Sequence, residues 1–99
     1  MAEHPLKVLE TLDPELLKLV QRSHDFAIDD GALPKKTKLL IALALDASKG
    51  ATDGVTALAG AALAAGATKQ EIAETLRVAH YICGAGSIYT AARGLRDTV

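Results

Sequence analysis

The chain has 99 residues, a hydrophobic fraction of 49%, an aromatic fraction of 3%, and a formal net charge of −1 with a pI near 6.3. That length sets one domain, and a composition led by 19 Ala and 15 Leu favours close-packed helices over a β-sandwich. The near-neutral charge and the lack of Trp exclude a nucleic-acid footprint or stacking platform, and the single cysteine excludes an internal disulfide and any multi-thiolate metal site.

Taken in chain order, His4 to Leu12 opens with Pro5 and supports at most two helical turns. Asp13-Pro14-Glu15 is a strong helix start, with Asp as N-cap, Pro at the first helical position and an acid facing the positive helix end. Leu16, Leu17, Val20, His24 and Ala27 then recur at helical spacing until Asp29-Asp30-Gly31, where a left-handed glycine is expected to stop the helix. Pro34 opens a third helix running to about Ser48. Its middle, Leu39 to Leu45, is apolar all round and reads as buried on most sides.

Gly50 ends that helix, and Thr52 is expected to cap the next, from Asp53 to Ala65, which closes at Gly66. Gly60 and Ala64 give this helix a smooth face that suits close packing. Thr68 and Glu71 match a capping box for a helix reaching about Cys83. Gly84-Ala85-Gly86 reads as a break, with Ser87 capping a last helix to about Arg96. The expected fold is all-α: a compact orthogonal bundle of five to six helices, one domain over residues 1–99 with its core in 12–96. The N-terminus lacks a secretory pattern and glycines interrupt the Ala-rich centre, so a cytoplasmic protein is expected, with neither membrane nor nucleic acid as partner.

The segments Leu12-Asp13-Pro14-Glu15-Leu16, Lys36 to Ala44, Ala61 to Ile72 and Gly84-Ala85-Gly86-Ser87 carry a family resemblance. In that order they resemble the carboxymuconolactone decarboxylase and alkylhydroperoxidase D superfamily over about four fifths of the chain. The resemblance implies a helical fold that assembles through helix faces into homo-oligomers, trimers or hexamers. Its redox members carry a Glu in a K-E-L-I-A-L-A phrase, then C-x-x-C-x-x-x-H on the next helix. There the helix dipole activates the thiols, and the His and Glu relay a proton.

In this chain Leu39 stands at the Glu position, Ala51 and Gly54 at the two cysteine positions, and Leu58 at the histidine position. Peroxide reduction by the family mechanism is therefore expected to be absent. The decarboxylase branch does not depend on the cysteine pair, which leaves non-redox chemistry on a small hydrophobic carboxylate open.

The remaining polar candidates are few. Asp46 falls two helical turns after Leu39 and could act as an acid or base in an apolar pocket, or simply turn to water or pair with Lys49. His80 and Cys83 share a face and could form a proton donor or weak metal site with His24; the plainer alternative is a helix-end His and a small buried Cys. Lys35, Lys36 and Lys38 could bind a carboxylate or form a solvated face. Tyr81 and Tyr89 could line a pocket, the core or an interface. No cofactor or metal is expected. Two functions follow: a decarboxylase- or isomerase-type enzyme using Asp46, His80 and Cys83, or a catalytically silent oligomeric scaffold or small-molecule-binding protein.

Overall fold

The computed structural model describes residues 4–99. A single 3-10 turn, Pro5–Val8, leads into the short helix α1 (Leu9–Leu12), and α2 (Pro14–Ile28), α3 (Lys35–Ser48), α4 (Thr52–Ala64), α5 (Lys69–Cys83) and α6 (Ala85–Leu95) follow. No strand occurs among the described residues. His4 lies exposed and caps the 3-10 turn, its Nδ1 accepting from the Leu6 amide at 3.1 Å. Asp13 caps α2 as its sequence position demands, accepting from the Leu16 amide at 3.0 Å.

Helices α3 to α6 make the body. Leu43, Ala47, Val55, Ala59, Ile72, Ala91 and Leu95 form one buried cluster across them. A second cluster joins Ile28 at the end of α2 to Leu39, Ala62 and Ala67. Leu40 and Leu58 pack against both, so the two clusters form one continuous core. Helices α4 and α6 meet most closely at Gly94, where Thr56 Oγ1 donates to the Gly94 carbonyl at 2.6 Å.

Four expectations about element ends need correction. Gly31 is not left-handed; α2 stops because Asp29 turns to an extended backbone, and Asp30 then accepts from the Lys35 amide to shape the loop. Thr52 is the first residue of α4 rather than its cap, since Ala51 takes the N-cap position with no side-chain acceptor. Ala85-Gly86 does not break the chain: Gly84 alone, at φ +83°, turns the corner, and α6 starts at Ala85. Ser87 therefore lies inside α6, buried, and its hydroxyl donates to the Gly84 carbonyl at 2.7 Å instead of capping an amide.

The apolar middle of α3 is buried on one side only. Leu39 and Leu43 are in the core, while Ile41 and Leu45 face outward. The smooth face of α4 is also open: Gly60 and Ala64 are exposed, and a Cβ at Gly60 would touch nothing. In α4 the small residues that do pack are Ala59 and Ala62, on the opposite side.

The capping box at α5 is complete, with Glu71 N–H donating to Thr68 Oγ1 at 3.0 Å and Thr68 N–H donating to Glu71 Oε1 at 2.8 Å. Lys36 on α3 adds a 3.0 Å ion pair to Glu71 Oε2, which ties α3 to α5 at their starts. The Thr68 amide first, and then Lys36, hold the Glu71 carboxyl below its usual range. A lowered folded-state value stabilises the protein above the unfolded value and loses that stabilisation as pH falls through the folded one. Glu71→Gln should therefore lower the melting temperature at neutral pH and flatten its decline into acid, which thermal melts across an acidic pH series would read.

Candidate functional site

Of the four positions singled out by the resemblance, Leu39 lies in α3, Ala51 at the α3–α4 turn, and Gly54 and Leu58 in α4. Leu39 is 2% exposed and belongs to the same buried cluster against which Leu58 packs. Both are reached by the core because they project inward from facing helices, one turn into α3 and two turns into α4. Ala51 is half-buried at the α4 N-cap, and its amide donates to the Asp46 carbonyl at 2.9 Å, closing the turn. Gly54 follows in the first turn of α4.

Asp46 and Gly54 are in intimate contact. A Cβ at Gly54 would lie 2.9 Å from Asp46 Cγ and closer still to Oδ2, so any larger residue there would push this carboxylate from its present position. Asp46 leaves α3 near its negative end but lays its side chain over the positive end of α4, where a negative charge is favoured. The pairing with Lys49 does not form; the only ion pairs among the described residues are His24–Asp25 and Lys36–Glu71. Sequence reasoning singled out Asp46 and Gly54 separately and missed that they touch. The available signal was an acid just before a tight turn, with a glycine in the first turn of the next helix.

The other candidates are scattered over the surface. His80 and Cys83 are exposed near the end of α5, so the expectation of a small buried Cys does not hold. His24 sits on α2, with Nδ1 3.0 Å from Asp25 Oδ1. It lines a groove of about 750 Å³ between α2 and the N-terminal turns, walled by Leu6, Glu10, Leu17 and Val20 as well, and none of Asp46, His80 or Cys83 reaches that groove. No hydrogen bond joins Asp46 to His80 or His80 to Cys83. Among the described residues no group of three or more His, Cys, Asp or Glu is placed to hold a metal ion.

The lysines serve the fold. Lys36 holds Glu71, and Lys38 Nζ donates to the Asp29 carbonyl at 2.7 Å, bracing the end of α2. Tyr81 and Tyr89 are exposed and fill no core. No helix of the described residues is long and apolar enough to cross a membrane.

The sequence profile of the carboxymuconolactone decarboxylase family matches residues 14–97, from the start of α2 to two residues past the end of α6. The chain belongs to the carboxymuconolactone decarboxylase family. Among solved structures it is similar to the crystal structure of an apo carboxymuconolactone decarboxylase family protein from Legionella pneumophila. The two are 35% identical, with a TM-score of 0.86 over 92% of this chain and 81% of that one. No curated protein matches. The superfamily and the all-α fold expected from the sequence are thus both found. Around the α3–α4 turn, Asp46 lies against Gly54, and Leu39 and Leu58 pack into the core from the two helices.

Proposed function

We propose that this carboxymuconolactone decarboxylase-like protein has lost the thiol peroxidase site and acts as a catalytically silent, self-associating cytoplasmic scaffold or small-molecule-binding protein. The observation that carries this reading is the packing of Leu39 and Leu58 in one buried cluster with Ile28, Ala62 and Ala67. A Glu and a His at those positions would need water or a partner; two leucines stabilise the core instead. The scatter of His24, His80 and Cys83 supports the same reading, since a relay needs groups within hydrogen-bond reach. Apolar side chains left outside, among them Leu19, Phe26, Ile41, Leu45 and Tyr81, favour self-association.

The purified protein should show no peroxide turnover above buffer with a thiol donor. Native mass spectrometry should show an oligomer, and denaturing extraction would identify any small acid it carries. Thiol-dependent turnover would overturn the proposal.

One observation favours a second reading, a non-redox decarboxylase- or isomerase-type enzyme on a small carboxylate. Asp46 holds a carboxylate at the α4 N-terminus beside Gly54, where it could move a proton. In that reading Asp46→Asn abolishes a measurable turnover, while variants of the exposed His80 and Cys83 do not.

A further inference from the structure

Helix α2 has two apolar faces, and the fold covers one. Leu17 and Val20 turn toward the N-terminal groove and Ile28 enters the core. Leu16, Leu19 and Phe26 do not: they are 42%, 56% and 92% exposed. With Ser23 they follow the spacing three, four, three, which places all four within a stripe about 80° wide on one side of the helix. That alternation is the seam pattern by which one helix packs along another. The radius of gyration is 14.1 Å, above the roughly 13 Å of a compact domain of this length, and of the α2 residues only Ile28 is buried.

The charges beside the seam select the occupant. Glu15 and Arg22 lie on the same flank, each immediately before a seam residue, while the opposite flank carries the apolar Val20 and Ala27. Glu15 and Arg22 are two turns apart, about 10 Å along the axis, and neither has an ion-pair partner among the described residues. When two copies of α2 run antiparallel about a two-fold axis, the same flank of each helix meets. Glu15 then faces Arg22 of the second copy, and symmetry makes the pair twice. A parallel arrangement sets Glu15 against Val20 and gains no pair.

We infer that α2 is a self-association surface, joining two copies antiparallel with Leu16 and Leu19 at the centre and Glu15–Arg22 pairs at the sides. This deepens the self-association proposed above and rests on it. Phe26 ends the seam at each side, about one turn beyond the residue that lies opposite the start of the neighbouring α2. The contact is isologous, so an assembly built through it has an even number of chains.

Sedimentation velocity over a concentration series tests the inference, with far-UV circular dichroism to show that each variant is helical. Leu19→Asp should halve the mass of the assembly. Glu15→Arg and Arg22→Glu should each weaken association by about tenfold, because each sets like charges together twice. The double variant E15R/R22E should recover wild-type association, since exchanging both charges rebuilds both pairs only in the antiparallel arrangement. A monomeric wild type would overturn the inference and the self-association beneath it. An oligomer indifferent to Leu19→Asp would overturn the α2 surface alone, and failure of the double variant to recover would overturn the antiparallel pairing.

Discussion

Replacing Gly94 by alanine should lower the melting temperature by about 10–20 °C, equivalent to roughly 2–3 kcal/mol. The added methyl would lie 2.7 Å from Val55 Cγ1, 2.8 Å from Val55 Cβ and 2.9 Å from the Thr52 carbonyl oxygen. A flexible side chain could swing aside. Here Val55 is fully buried and branched at Cβ, and the carbonyl is backbone in the first turn of α4, so α6 must move away as a unit. That movement also stretches the 2.6 Å hydrogen bond from Thr56 Oγ1 to the Gly94 carbonyl. Differential scanning calorimetry of wild type and Gly94→Ala provides the comparison. A change under about 2 °C would mean that the two helices do not touch there in solution. The same substitution at Gly60, where nothing lies within 4 Å of a Cβ, serves as the control and should leave the monomer unharmed.

Leu39→Glu should cost about 3–5 kcal/mol at neutral pH. The site is 2% exposed and its neighbours, Ile28, Ala62, Ala67 and Leu58, offer no donor to a carboxylate. Burial raises the folded-state value of such a carboxyl above its unfolded value near 4.3. Between those two values the folded chain binds more protons than the unfolded one, so stability falls as pH rises through that window. The deficit relative to wild type should therefore be smallest in acid and full at neutrality. Urea unfolding of both proteins at several pH values measures it. An equal deficit at every pH would mean that the carboxylate escapes to water and that the site is not core.

The sequence was most informative where a local rule acts alone. Asp13-Pro14, Thr68 with Glu71, and the glycines at 50 and 66 set helix ends through neighbouring backbone, and the structure has them. It misled where a cap has more than one solution. Thr52 and Ser87 are good cap residues by type, yet each ended inside its helix because Ala51 and Gly84 had already turned the chain. The apolar run in α3 gave the right helix but not its exposed side, since Ile41 and Leu45 are indistinguishable from Leu39 and Leu43 by hydropathy. Leu39 and Leu58 could be placed at functional positions only through family resemblance; that they share one cluster is tertiary information. The contact of Asp46 with Gly54 depends on how the α3–α4 turn folds back, which spacing does not encode.

That contact bears on which mutational routes remain open to this protein. A cysteine introduced at residue 54 would arrive where the Asp46 side chain already lies, so that carboxylate must swing aside and give up its place at the positive end of α4. Shortening Asp46 first, to alanine, clears the way but exchanges a carboxylate for nothing at the positive end of α4. A cysteine at residue 51, arriving alone, has no second sulfur within the turn to close upon. A dithiol at residues 51 and 54 therefore needs two new cysteines and a displaced carboxylate, and neither cysteine alone can close a disulfide within the turn.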